Sequence, residues 1–467
     1  MKGLRRRRRG ALLLCTVSLA IAAATAGSAA ASTTHFSGVL ADGASWIADV
    51  PSDWNGTLLI YSHGYGPLVA ADAPSPALRD ALLARGYALA GSSYDPSGSW
   101  WALKSAVRDQ FETIDSATAT ALPRKPDRVL AVGTSMGGLV SALEAQQGAG
   151  HIDGALTTCG IVAGAIHLNN YQLDAEYAIS KLLAAGQPIK LVNFASMGEG
   201  AATGAALAAI AQQAQTTPEG RARLALALAF LNAPPAAAGM PVPASNDPNA
   251  VEAAQFAGYF VAFPTMIFIE AGRPSIEQSA GGNGSWTLGE DFAQLLNHSP
   301  YHDVVRALYR EARLDLKADL DALTAGANIP ADTGAIASLQ QTSVPTGHLD
   351  VPELDLHTIY DNLVPVEQED TYARLVRAAG GSDLLRQAYV DHIGHCNFTS
   401  AELVAGVEAI RHRVETGRWD SVAQPKKLQE VATSLGLDGA SFIHYQPSAL
   451  SGDNGPFDPV RNAVAAD

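Results

Sequence analysis

The chain has 467 residues, 47 % of them hydrophobic and only 16 % charged, the composition of a folded, well-packed protein and not of a disordered one. Its formal net charge of −15 argues against a nucleic-acid partner, which would require a basic surface.

Residues 1–31 read as a signal peptide. Lys2 and Arg5–Arg9 form a basic start, Ala11–Ala24 is an apolar run of signal length, and Ala29-Ala30-Ala31 offers a cleavage site before Ser32. The expected location is therefore outside the cell, by a general secretory or a twin-arginine route. The apolar run is too short and too Ala-rich for a membrane span. Cys15 follows Leu14 rather than the small residue of a lipoprotein signal, so no membrane anchor is expected. The leader holds six of the 31 Lys and Arg and no acidic residue, which leaves 25 against 46 Asp and Glu and a net charge of −21.

From Ser32 to residue 163 the pattern alternates between strands and helices. Strands are expected at Ser45–Val50, Thr57–Ser62, Ala88–Ser92, Arg128–Gly133 and Gly154–Cys159. Helices are expected at Pro76–Arg85, Lys104–Ala121 and from about Ser135. Short apolar strands alternating with helices predict an α/β fold, with a mostly parallel sheet covered on both faces. Residues 164–345 break the pattern: they are Ala-rich and mostly helical, and read as an insertion. Alternation resumes over 346–416, with strands at Glu353–Tyr360 and Arg386–Val390 and helices at Glu367–Ala379 and Ser400–Glu415. Residues 417–467 read as a polar tail.

The strongest chemical signal is Gly133-Thr134-Ser135-Met136-Gly137, between the strand RVLAV and the helix LVSALEAQ. A serine on a sharp strand-to-helix turn crowds its neighbours two residues away, and glycine at both positions relieves the crowding. The turn projects the Ser135 hydroxyl and places the Met136 N–H at a helix start, where it can stabilise an oxyanion. A hydroxyl of ordinary pKa needs a base and a group to orient that base. Asp361 lies just beyond the strand ELDLHTIY, and His395 lies in Gly394-His395-Cys396 beyond the last strand. All three then fall at the carboxyl edge of the sheet. Asp355, inside its strand, is expected to face a helix, while Asp391 and His392 sit near the candidate base without its glycine. The loop Ser62-His63-Gly64-Tyr65-Gly66 offers the Tyr65 N–H as a second oxyanion donor, with His63 as a structural histidine.

YSHGYG, GTSMGG, YDNLVP and GHCNF, in this order, resemble the α/β-hydrolase superfamily. The resemblance points toward secreted actinobacterial serine hydrolases, in the tripeptidyl/prolyl aminopeptidase-like branch and the esterases near it. It covers residues 35–165 and 346–415, and the insertion corresponds to a cap in position and helical character. It implies Ser135, Asp361 and His395 as a catalytic triad, with Tyr65 and Met136 as oxyanion donors. The loop reads HGYGP where peptidases of that branch carry HGGPG, which weakens the peptidase expectation. In this fold Cys159 and Cys396 both lie at the carboxyl edge, so a disulfide between them would clip the histidine loop.

Trp100 and Trp101 fall near the rim and are candidates for the substrate pocket, or for core packing. Tyr171, Phe194, Phe263, Phe268, Trp286 and Phe292 carry the same two readings. An exopeptidase would need a cap carboxylate for the substrate amine; Glu176, Glu199, Glu270 and Glu290 are available, and nothing selects among them. The expected function is hydrolysis of a small or medium, fairly apolar carboxylic ester. An aminopeptidase or amidase, or an acyltransferase or cyclase, would use the same residues. The expected partner is a small-molecule acyl substrate, with no metal or organic cofactor.

Overall fold

The computed structural model describes residues 32–451 apart from positions 185 and 438. The signal segment, its cleavage boundary and residues 452–467 lie outside the described residues.

Nine strands form one sheet: β1 (Thr33–Val39), β2 (Ser45–Pro51), β3 (Thr57–Ser62), β4 (Ala88–Ser92), β5 (Arg128–Thr134), β6 (Gly154–Thr158), β7 (Glu353–Tyr360), β8 (Leu385–Ile393) and β9 (Phe442–Ile443). Their order is β1-β2-β4-β3-β5-β6-β7-β8-β9. The neighbours from β4 through β8 pair in parallel, whereas β1 on β2, β2 on β4 and β9 on β8 are antiparallel. Strands β3, β4 and β6 are buried along their whole length, which is why they read as unbroken apolar runs. In β3 the two faces feed different cores: Leu58 and Ile60 pack on one side, Leu59 and Tyr61 on the other.

The helices flanking the first part of the sheet are α1 (Pro76–Leu83), α2 (Ala106–Thr120) and α3 (Met136–Gln147). Ser75 caps α1 by accepting from the Leu78 N–H, and Pro76 supplies the fixed φ of a first helical turn. Between β6 and β7 come α4 (Ala165–Leu183), α5 (Met197–Ala214), α6 (Pro218–Phe230) and α7 (Pro248–Phe256). A π-helical turn (Ala257–Ala262) leads to α8 (Thr265–Ala280), α9 (Phe292–His298), α10 (His302–Ala312), α11 (Leu316–Gly326) and α12 (Thr333–Thr342). Their apolar faces join Met136, Leu139, Val140 and Leu143 of α3 in one continuous core, so this helical block packs directly on the turn that bears Ser135. No single helix among the described residues is long and apolar enough to cross a membrane.

After β7 follow α13 (Gln368–Ala378), α14 (Ser400–Thr416) and α15 (Pro425–Ser434). A capping box between Thr399 and Glu402 starts α14. The structure departs from the sequence expectation in three places. The strand β1 adds to the antiparallel edge, where its exposed alternation gave no apolar run to read. Strand β8 continues to Ile393, because Gly394 N–H bonds the Tyr360 carbonyl past a register shift in β7. Within 417–467, α15 packs on α14 and β9 extends the sheet; further along, Ser451 donates from its N–H to Asn232 and from its hydroxyl to the Leu295 carbonyl.

Candidate active site

Ser135 sits between β5 and α3 with φ 61° and ψ −122°, a region that a serine adopts only at a cost of about 1–3 kcal/mol. Close packing holds it there. A Cβ on Gly133 would overlap the Gly137 carbonyl, and one on Gly137 would overlap the Ser62 carbonyl. Met136 opens α3, so its N–H has no acceptor inside the helix. Gly64, just before Tyr65, lies against the turn, where a Cβ would come 3.3 Å from that of Ser135.

A chain of hydrogen bonds leaves the serine. The Ser135 hydroxyl is 2.8 Å from His395 Nε2, and His395 Nδ1 is 2.7 Å from Asp361 Oδ2. The other Asp361 oxygen accepts from the N–H groups of Leu363 and Val364, each at 2.9 Å. Burial alone would raise the Asp361 carboxyl, but the charge and hydrogen bond of His395, helped by His357 and the Val364 N–H, hold it below the usual range. With the carboxylate on Nδ1, the imidazole keeps Nε2 free to take a proton from Ser135.

The histidine loop is tethered. Cys159, directly after β6, and Cys396, directly after the histidine, form a disulfide with 5.3 Å between their Cα atoms. Thr358 adds a hydrogen bond from its hydroxyl to the Gly394 carbonyl. The two sulfurs approach His395 but are bonded to each other, which removes them as metal ligands.

The structure separates the competing residues from the serine. His392, at the end of β8, pairs through Nε2 with Glu402 at the start of α14. His63 bonds the Gly64 carbonyl through Nδ1 and stacks on Tyr94 at 4.3 Å between ring centres. Asp355 is buried toward α13, where burial and the neighbouring Glu369 push its carboxyl well above the usual range.

Ser135 opens onto a cavity walled mainly by apolar side chains. Tyr65, Trp101 and Phe268 line it, with Leu168 and Gln172 from α4 and Ile269, Gly272 and Ile276 from α8. Trp101 is buried, and its indole N–H donates to the Ser343 hydroxyl. Trp100 does not reach the cavity lining; it meets the edge of Tyr65, which in turn meets Phe268. Of the other aromatic candidates, Phe292 packs in the core against Tyr177 and Phe230, and Phe263 is partly exposed. None of the four acidic candidates lines the cavity. Glu176 and Glu270 are buried on Arg273, and Glu199 pairs with Lys190 at the surface.

His357 escaped the sequence reading. It lies on β7, 3.7 Å from Asp361, with Nε2 donating to the Val364 carbonyl and Nδ1 on Glu369. The alternation Glu353-Leu354-Asp355-Leu356-His357 was its signal: one face of a buried strand carries ionisable groups, and each needs a partner on α13 or in the loop after β7.

Strand order, the serine after β5, the acid after β7 and the histidine after β8 decide the architecture. The chain has the α/β-hydrolase fold. No protein-family model matches this α/β-hydrolase chain. An o-phthalyl amidase from Xanthobacter agilis is 29 % identical to it over 450 residues, covering 87 % of this chain and 95 % of the amidase. Among solved structures, it is similar to feruloyl esterase B from Aspergillus oryzae, with 12 % identity, a TM-score of 0.43 and coverage of 82 % and 80 % of the two chains. Brefeldin A esterase, a bacterial homologue of human hormone-sensitive lipase, gives 13 %, 0.37, and 90 % and 80 %. An acylaminoacyl peptidase in complex with Z-Gly-Gly-Phe-chloromethyl ketone gives 10 % and 0.37 over 90 % of this chain, which spans only 43 % of that peptidase.

Proposed function

We propose that the chain is a secreted serine hydrolase that cleaves a small, apolar carboxylic ester through an acyl-enzyme on Ser135. The observation that carries the reading is the unbroken chain Ser135–His395–Asp361 opening on an apolar cavity. Ser135 Oγ attacks the carbonyl while His395 Nε2 takes its proton. The N–H groups of Tyr65 and Met136 receive the oxyanion. The tetrahedral intermediate then collapses, the C–O bond breaks, and His395 returns the proton to the leaving alcohol. Water repeats the sequence on the acyl-enzyme, releasing the acid and restoring Ser135. Asp361 keeps the imidazole in its working tautomer throughout. The helices between β6 and β7 act as a cap that supplies half of the acyl pocket's lining and limits water.

An aminopeptidase would need a carboxylate facing the cavity, and among the described residues the lining carries none. An amide substrate is the second reading, favoured by the similarity to the o-phthalyl amidase along nearly the whole of both chains. Paired p-nitrophenyl esters and p-nitroanilides of acetate, butyrate and benzoate separate the two. Ester turnover without anilide turnover supports the esterase, and preferred anilide turnover supports the amidase. Full activity in Ser135→Ala would refute both. Export rests on the basic and apolar start of the sequence and accords with the disulfide; N-terminal sequencing of the protein from culture medium should find Ser32 first, and an intact Met1 would count against export.

A further inference from the structure

The cavity beside Ser135 is built almost wholly from hydrocarbon and rings, yet it contains a carboxamide. Gln172 lies on α4, four residues and about one turn after Leu168, and both line the cavity. It is only 5 % exposed, and its side chain makes no hydrogen bond to the protein among the described residues. Three neighbouring polar groups on the same helix are already engaged, while Asn169, outside the cavity lining, keeps a buried Oδ1 without a partner among the described residues. Asn170 accepts from the Trp286 N–H, Tyr171 shares its hydroxyl with Gln368, and Glu176 is paired with Arg273. Of the other polar groups on residues lining the cavity, the Trp101 N–H is spent on Ser343, whereas the Tyr65 hydroxyl is buried without a hydrogen-bond partner among the described residues. The Gln172 carboxamide is not among the fully buried unpartnered groups, so it keeps access to the cavity, where a ligand group can take the place of water on it.

The charge around the cavity is equally specific. Among the described residues no charged side chain lines it. The nearest guanidinium in sequence, Arg273, follows the lining Gly272 but points into a buried cluster with Glu176, Glu270 and Ser285. An anionic acyl group would lose its hydration here without gaining a cation.

We propose that the pocket takes a ring-sized, apolar acyl group that carries one uncharged hydrogen-bonding substituent, and that Gln172 recognises this substituent. The assignment rests on Ser135 as the nucleophile. Three aromatic rings, of Tyr65, Trp101 and Phe268, supply the faces and edges against which a planar acyl ring packs. Gln172 offers both donors and an acceptor, so a carboxamide or similar neutral group on the ring can pair with both ends of it.

The test uses p-nitrophenyl esters of benzoate, of 3- and 4-carbamoylbenzoate, and of the matching 3- and 4-carboxybenzoates, with the wild-type protein and Gln172→Leu. An aryl phosphonate that labels the nucleophile is run on both proteins. The wild type should prefer its better carbamoyl ester over benzoate by about tenfold or more in kcat/KM, and over the carboxylate of the same shape by at least as much. In Gln172→Leu the carbamoyl preference over benzoate should collapse to near unity, and labelling should continue, which shows an intact fold and nucleophile. An unchanged preference in the labelled variant overturns the proposal. So does a wild type that prefers the carboxylate, shows no carbamoyl preference, or is labelled without turning over any of the esters. A wild type that is neither labelled nor active overturns the serine-hydrolase reading itself, and with it the role of Gln172.

Discussion

The carboxyl edge of the sheet and the helical block between β6 and β7 meet at one cavity, and they are built by opposite rules. At the sheet edge the three reacting side chains are tied together: His395 bonds both Ser135 and Asp361, Asp361 has three hydrogen bonds, and a disulfide ties the histidine loop to the end of β6. To the cavity the helical block contributes apolar side chains and the Gln172 carboxamide, which has no protein partner among the described residues. The edge fixes a small number of atoms to within a fraction of an ångström, as proton transfer requires. The helices shape a volume, as substrate selection requires. Under the proposed function, reaction and selectivity fall to separate parts of the chain, and substitutions in the two regions should fail differently.

The largest effects belong to the sheet edge. Asp361→Asn preserves shape but favours the wrong histidine tautomer, and kcat should fall by about 10⁴-fold with little change in KM. An equal loss in KM alone would place Asp361 in binding instead. Removing the tether by replacing both Cys159 and Cys396 with alanine should cost about 2–5 kcal/mol of stability, read by denaturant unfolding, because the bond spans 237 residues of sequence. A double variant as stable as the wild type would show that packing alone secures the loop.

The helical block should respond more mildly and in the other parameter. Phe268→Ala enlarges the pocket without touching the hydrogen-bonded chain, so KM should rise by about tenfold while kcat changes little. A kcat loss as large as that of Asp361→Asn would erase the distinction between the two regions. Glu353 probes the sheet itself. Burial, with the nearby Asp355, pushes its carboxyl up to about 8, and it accepts from Thr157 and Tyr372. The folded chain therefore holds a proton that the unfolded chain releases above its ordinary value of 4.5. Stability must fall as pH rises between those values and level off above the higher one. In Glu353→Gln that part of the fall should vanish, measured by unfolding at pH values across the window, and an unchanged slope would assign the dependence to other groups.

The sheet edge was legible in the sequence because its rules are local. The glycines flanking Ser135 are dictated by the Ser62 and Gly137 carbonyls beside them, and the positions of Asp361 and His395 follow from where their strands end. Strands β1 and β9 were missed for the converse reason: β1 is half-exposed and β9 has two residues, so neither leaves an apolar run. His357 was hidden because its partner Glu369 comes from a helix after the loop, and Gln172 because nothing in an Ala-rich helical stretch shows which face meets the serine. The same limit explains the two tryptophans. Adjacent residues point differently once packed, and Trp101 reaches the cavity while Trp100 stops at Tyr65.

The central claim is that Ser135, activated by His395, is the nucleophile, and covalent capture tests it most directly. The protein is treated with a p-nitrophenyl alkylphosphonate, and the adduct is mapped by peptide mass spectrometry. The account predicts one adduct per chain, on Ser135, with labelling slowed by at least about 10³-fold in His395→Ala. An adduct on any other residue, or equally fast labelling without His395, would contradict it.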